Sequence, residues 1–170
     1  EKIRQTLEIP NENCVIMFRY SEFSLKGVQY ILEALRNLEV EEPVTLLTVG
    51  GTGMSDECLK RKFQIIELGM QREEGVIDAM TAADIFLMPS IAESFGLMAI
   101  EAMAAKCAVV VFESTVLEQI TFAPKCGVAV KYKDSSDMEQ TVKRLILNDS
   151  ERKWRGEEGQ RIVEENYIYN

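Results

Sequence analysis

Short, continuous apolar runs alternate with amphipathic segments along nearly the whole chain. The apolar runs are rich in β-branched and aromatic residues, which is typical of strands covered on both faces. They predict strands at Cys14–Phe18, Val44–Val49, Phe63–Leu68, Ile85–Met88, Ala108–Phe112 and Gly127–Val130. The segments between and after them predict helices at Leu25–Leu38, Asp56–Lys60, Glu73–Ala82, Phe95–Ala105, Val116–Phe122, Asp137–Leu147 and Ser150–Glu165. This alternation predicts an α/β fold with a doubly wound parallel sheet of about six strands.

Size and composition fit one globular domain, which we expect to span residues 1–170. A hydrophobic fraction of 46% and a charged fraction of 28% are typical of soluble proteins. The net charge of −9 argues against a nucleic-acid-binding surface. No apolar run reaches the roughly 18 residues of a membrane-spanning helix, and no signal peptide is visible. Because the chain opens on Glu1 and not on Met, we expect it to be a piece of a longer protein.

The four cysteines do not form a metal-binding pattern. Cys14, Cys58, Cys107 and Cys126 are scattered without a CxxC pair, and the chain has no histidine. We therefore expect no metal site, and we interpret the cysteines as reduced, buried thiols of a cytoplasmic protein.

Two basic residues follow the first predicted strand. In doubly wound folds, ligands bind beyond the carboxyl ends of the strands, often at helix N-termini. Arg19 lies at the end of that strand, and Lys26 falls in the first turn of a helix for which Ser24 is the expected cap. A cation in a first turn is unfavourable by ~0.3–1 kcal/mol unless an anion offsets it. Arg19 and Lys26 are therefore candidates for a diphosphate clamp; the alternative is that both are solvated surface charges.

Glu101 is the only charge in a long apolar helical segment. An ionised carboxylate among apolar side chains is costly unless it is paired or hydrogen-bonded. Glu101 therefore requires a ligand hydroxyl, or a buried Arg or Lys from elsewhere. Glu93 lies eight residues earlier, a helical rise of ~12 Å, whereas the carboxylates of glycosidases lie roughly 5–10 Å apart. The pair is better suited to two parts of one extended ligand.

The start of the same helix and a glycine-rich turn provide further candidates. With Ser94 as the expected cap, the free N–H groups of the first turn would suit a phosphate, and a glycine there would let a ligand approach closely. These residues are Phe95, Gly96 and Leu97. The alternative is an ordinary capped helix that binds nothing. The turn Gly50-Gly51-Thr52-Gly53 is either a simple tight turn or a turn that leaves room for a ligand.

These motifs together resemble the donor-binding domain of retaining GT-B glycosyltransferases of family 4, also called group 1. The resemblance rests on Ala82-Ala83-Asp84-Ile85-Phe86-Leu87-Met88-Pro89-Ser90 and on the E-x7-E pattern at Glu93 and Glu101. It covers the chain from about Asn11 to Tyr167. The resemblance implies a Rossmann-like domain that is the C-terminal half of a GT-B fold. The N-terminal acceptor domain would be absent from this chain.

The resemblance also implies a role for each candidate residue. Glu101 would accept hydrogen bonds from the ribose hydroxyls, and Glu93 would contact the donor sugar. The loop Gly69-Met70-Gln71 would meet the base. The diphosphate would be held, and stabilised as it leaves, by the amides at the start of the helix and by the two cations, namely Phe95, Gly96, Leu97, Arg19 and Lys26. Ser94, the expected cap, is also a donor-binding candidate. Gly51 belongs to the donor-binding candidates as well.

The implied reaction is the transfer of a sugar, with retention of configuration, from a UDP- or GDP-linked donor to an acceptor hydroxyl. The acceptor would be a sugar or a lipid-linked molecule in surface glycan, polysaccharide or glycolipid synthesis. No metal or other cofactor is implied. The expected location is the cytoplasm, with at most peripheral attachment of the full-length protein to the inner face of the membrane.

The chain departs from the family pattern in three places where glycine is usual, and has there Phe18, Lys106 and the pair Ser114-Thr115. A left-handed residue other than glycine at Lys106 would cost ~1 kcal/mol or more. Two other functions remain open: a degenerate donor domain that acts as a scaffold or regulator, and a sugar-nucleotide epimerase of related architecture.

Overall fold

The computed structural model describes residues 1–21 and 26–168. Its strands are β1 (Cys14–Tyr20), β2 (Val44–Gly50), β3 (Gln64–Glu67), β4 (Ile85–Met88), β5 (Ala108–Phe112) and β6 (Val128–Val130). They form one parallel sheet in the order β3-β2-β1-β4-β5-β6. The winding direction therefore reverses between β1 and β4. The predicted α/β class and doubly wound parallel sheet are confirmed.

Helices cover both faces of the sheet. They are α1 (Lys2–Thr6), α2 (Val28–Asn37), α3 (Glu57–Lys62), α4 (Glu73–Ala82), α5 (Leu97–Ala104), α6 (Val116–Ile120), α7 (Ser135–Leu147) and α8 (Asp149–Asn166). The sequence pattern predicted all of them except α1. Within the described ranges, no helix is both long enough and apolar enough to cross a bilayer.

Three helix starts differ from the expectation by two or more residues. Helix α7 begins at Ser135 and not at Asp137, because Asp134 is the cap and its carboxylate accepts from the Asp137 N–H at 2.9 Å. Helix α5 begins at Leu97, since Gly96 before it has a left-handed φ of 69° and cannot continue a helix. Helix α2 begins at Val28, and its expected cap, Ser24, lies outside the described residues.

Two hydrophobic clusters sandwich the sheet. On one face α2 packs against α7, and on the other α5 packs against α8. A Cβ on Gly156 of α8 would lie 2.2 Å from the carbonyl oxygen of Lys106, so α8 passes directly over the end of α5. The close packing fixes α5, which carries Glu101, against the sheet.

Gly27 brings the segment before α2 against the end of β4. Its φ is 71°, and a Cβ at this position would lie 1.9 Å from the carbonyl oxygen of Pro89. No other residue allows this backbone contact without a shift. As a result, Lys26 lies beside the loop that follows β4.

Candidate functional site

Two adjoining cavities open at the carboxyl ends of β1 and β4, where the winding of the sheet reverses. The first cavity has a volume of about 140 Å³, and its polar lining residues are Arg19, Lys26, Ser90 and Glu93. The second cavity has a volume of about 370 Å³, and its polar side chains are Arg19, Gln71, Glu73 and Glu101. Arg19, Leu97 and Met98 line both. Small-molecule sites of ~300–1,000 Å³ are usually found at such a reversal of the sheet.

Lys26 and Glu93 form an ion pair in the first cavity. Lys26 Nζ donates to Glu93 Oε2 at 2.9 Å, and the two side chains are 34% and 18% exposed. Lys26 does not lie in the first turn of α2, because Gly27 caps that helix. The expected place of Lys26 in the first turn of α2 is therefore wrong, although an anion does lie beside this cation. What the structure shows is a cation whose charge is balanced by the neighbouring carboxylate.

Arg19 lies near the end of β1, opposite Val49 of β2, and its side chain is exposed. It forms no ion pair or hydrogen bond with the other residues that the structure describes. Because it lines both cavities, its guanidinium is available to a ligand that spans them. A guanidinium presents a planar set of donors that matches two phosphate oxygens.

Glu101 lies in α5 and faces the second cavity, partly buried. The buried Arg or Lys that was one alternative is not found: no cation among the described residues pairs with Glu101. Burial raises the pKa of this carboxyl above its usual value, and the negative charge of Glu73 raises it further. A bound hydroxyl group would supply the hydrogen bond that the protein does not.

The start of α5 differs in detail from the expected phosphate site. Ser94, Phe95 and Gly96 line neither cavity, and Phe95 is 63% exposed. A Cβ on Gly96 would lie 2.4 Å from Leu117 Cδ2, so this glycine permits packing against α6 and does not make room for a ligand. The N–H groups of Leu97 and Met98, which do line both cavities, donate to no described acceptor.

The glycine turns hold strand ends together. The N–H of Gly50 donates to the carbonyl oxygen of Gly69 at 2.9 Å, and the N–H of Gly51 donates to the carbonyl oxygen of Tyr20 at 2.8 Å. Gly51 and Gly69 line neither cavity, whereas Gly50 lines the second. Of the predicted base-binding loop, Met70 and Gln71 line that cavity.

Among the lining residues that were not candidates, Ser90 and Glu73 have polar side chains, and Met98 lines both cavities. Ser90 follows β4 at the carboxyl edge of the sheet, and Glu73 begins α4 at the same edge. The rule that ligands bind beyond the carboxyl ends of the strands therefore also applied to Ser90 and Glu73.

At two of the positions where the chain departs from the glycine pattern, the residue has a left-handed φ. Lys106 has a φ of 65° and Ser114 a φ of 59°, the left-handed conformation that a glycine adopts most easily. Thr115 caps α6 in extended conformation. Phe18 is fully buried in the core.

The fold and the two cavities define a doubly wound α/β domain with an open site where the winding of the sheet reverses. A family model described as glycosyl transferases group 1 matches residues 1–162. The chain belongs to this glycosyltransferase family, as the motifs predicted.

Individual relatives agree with this membership. The chain is 34% identical over 172 residues to a D-inositol 3-phosphate glycosyltransferase of Corynebacterium jeikeium, covering 92% of this chain and 41% of that protein. It thus spans less than half of the length of this curated relative.

Solved structures confirm the fold as one Rossmann-like half of a GT-B glycosyltransferase. The C-terminal domain of the group 1 family protein LpcC from Francisella tularensis matches with a TM-score of 0.78 and 25% identity, covering 99% of this chain and 93% of that one. The Anabaena protein HepE in complex with UDP and glucose matches with a TM-score of 0.79 and 20% identity, covering 98% and 47%.

Proposed function

We propose that this chain is the donor-binding domain of a retaining glycosyltransferase that uses a nucleoside-diphosphate sugar. The observation that carries the proposal is the order of groups along the two cavities. A neutralised cation–carboxylate pair lies at one end, a free guanidinium lies in the middle, and an unpartnered carboxylate lies at the other, among the residues that the structure describes. A nucleoside-diphosphate sugar has a matching order of sugar, diphosphate and ribose.

Each residue then has a distinct task. Arg19, Lys26 and the free amides at the start of α5 bind the diphosphate, while Glu101 accepts hydrogen bonds from the ribose hydroxyls. Met70 and Gln71 contact the base. Glu93 orients the donor sugar in the first cavity. The similarity in fold to HepE, which was solved in complex with UDP and glucose, supports a donor of this class.

Catalysis would depend mainly on the charge that develops on the leaving diphosphate. Cations and backbone N–H groups that are fixed before the reaction stabilise such a charge more strongly than water does. We assign no covalent nucleophile to Glu93. The acceptor, a sugar or a lipid-linked hydroxyl, would bind mainly to an N-terminal domain outside this chain, so the isolated domain would bind donor and transfer little sugar.

Titration with nucleotides tests the proposal directly. UDP, GDP, ADP and CMP are added separately to the chain and followed by calorimetry and thermal unfolding. A ligand at ~100 times its dissociation constant adds about 2.7 kcal/mol of stability. We expect one nucleoside diphosphate to bind; binding of none would contradict donor binding by this chain and favour the scaffold alternative.

A double variant then identifies the diphosphate clamp. Arg19→Ala with Lys26→Ala should weaken nucleoside-diphosphate binding at least roughly tenfold, because each removes a charge-assisted contact. The matched control, Lys60→Ala with Lys153→Ala, removes two exposed cations that line neither cavity and gives the same net charge as the first double variant. Equal affinities in the two double variants would rule out the clamp.

A further inference from the structure

The hydroxyl of Ser90 is buried without a hydrogen-bond partner. Ser90 is 1% exposed, and its Oγ has no donor or acceptor within hydrogen-bonding distance among the described residues. Leaving a buried hydroxyl unpaired costs roughly 1–3 kcal/mol, so such groups are rare in folded proteins. Ser90 is also one of the residues that line the first cavity, together with Arg19, Lys26 and Glu93.

The charged side chains that line the first cavity provide little net positive charge, so a diphosphate bound there would also need uncharged hydrogen-bond donors. Lys26 and Glu93 neutralise one another, and Arg19 remains as the unpaired cation of the described lining. The chain as a whole carries a net charge of −9, which repels an anion. A diphosphate in this cavity therefore depends on local donors in addition to the single net positive charge.

We propose that Ser90 is a donor-binding residue whose hydroxyl donates a hydrogen bond to a diphosphate oxygen of the bound nucleotide sugar. The inference rests on the proposed function and adds a residue to its site. In the free protein the hydroxyl is held without a partner among the described residues, and the ligand supplies the acceptor. The preceding residue, Pro89, packs closely against Gly27, where a Cβ would lie 1.9 Å from the Pro89 carbonyl oxygen.

Thr48 provides a matched control. Its Oγ1 is the other buried side-chain oxygen without a partner in the described part of the chain, and the residue is fully buried. Thr48 lies in β2 one residue before Val49, which lines the second cavity, so its side chain points to the opposite face of the sheet. It lines neither cavity.

The experiment compares two variants of the 170-residue chain, Ser90→Ala and Thr48→Val. Affinity for the nucleoside diphosphate that the wild type binds, and for its nucleoside without phosphates, is measured by calorimetry. Stability is measured by urea unfolding. For Ser90→Ala we expect roughly tenfold weaker binding of the diphosphate, unchanged affinity for the nucleoside, and a urea midpoint equal to or above that of the wild type. Thr48→Val should leave both affinities unchanged.

The outcomes separate the inference from the proposed function. If the wild type binds the diphosphate and Ser90→Ala binds it equally well, Ser90 is not a ligand contact, while the proposed function stands. Equal losses for diphosphate and nucleoside with a lower urea midpoint would show a structural role and would also overturn the inference. A wild type that binds no nucleoside diphosphate overturns both.

Discussion

Lys26 and Glu93 are 67 residues apart in sequence, yet Lys26 Nζ and Glu93 Oε2 lie 2.9 Å from each other. The cation proposed for the diphosphate is thus already engaged by the carboxylate proposed for the sugar. A ligand must share Lys26 with Glu93 or displace it. If the proposed site is correct, we expect the pair to lower the intrinsic affinity for the diphosphate while it positions both groups.

Glu93→Gln should consequently bind a nucleoside diphosphate more tightly than the wild type. Partly exposed ion pairs contribute about 0.2–1 kcal/mol, so we expect a dissociation constant that is lower by up to roughly fivefold in calorimetry. Glu39→Gln is the control, because Glu39 pairs with Lys62 outside both cavities. Weaker binding in Glu93→Gln would mean that Glu93 holds Lys26 in its binding position.

Glu101→Gln should raise the free energy of unfolding at pH 7 and lower the affinity for the nucleotide. The folded-state pKa of Glu101 is raised by burial and by Glu73, so the folded state binds its proton more strongly than the unfolded state. Ionisation of this carboxyl therefore lowers the free energy of unfolding as the pH rises through and above the pKa of glutamate in the unfolded chain, roughly 4.3. Urea unfolding at pH 7 should show the variant more stable than the wild type, with the difference vanishing below about pH 4.

The same variant should weaken nucleotide binding by about 1.5–3 kcal/mol, or at least tenfold, since a charged acceptor for ribose hydroxyls is lost. Glu74→Gln on the neighbouring α4 changes the net charge equally at a residue that lines neither cavity, and it should leave affinity unchanged. Unaltered binding in Glu101→Gln would exclude Glu101 as the ribose ligand.

Lys106→Gly should stabilise the fold. The left-handed φ of 65° costs a side-chain-bearing residue about 1 kcal/mol relative to glycine, which corresponds to a rise of ~2–4 °C in Tm for a chain of this size. Lys106→Ala removes the charge but keeps the Cβ, so calorimetric unfolding should show no comparable gain. If both variants gain equally, the charge and not the backbone is responsible.

Native thiol labelling should distinguish one cysteine from three. Cys14, Cys107 and Cys126 are buried, and burial raises the pKa of each thiol, that of Cys14 to about 12. Cys58 on α3 is only partly buried, which corrects the expectation that all four are buried. A thiol reagent at pH 8 should modify Cys58 quickly and the others only after unfolding, because the thiolate is the reactive species. Mass spectrometry of the labelled chain identifies the modified residue.

Local pattern accounted for the elements that depend on local forces. Continuous apolar runs and period-3.6 apolar spacing predicted every strand and the seven helices from α2 to α8, because both faces of the sheet must be covered. Helix α1 was missed because long-range bonds hold it: Arg4 donates to Asp84 at 2.9 Å and to the carbonyl oxygen of Ala82. A five-residue helix has little stability of its own.

By itself the sequence determined the order of strands and helices, the edge of the sheet at which a ligand is expected to bind, and the residue types gathered there. Tertiary packing decided which of those residues line the two cavities. It paired Lys26 with Glu93, directed Gly96 against Leu117, and buried the Ser90 hydroxyl without a partner among the described residues. These contacts join segments distant in the chain, so their geometry follows from how helices and strands pack and not from local spacing.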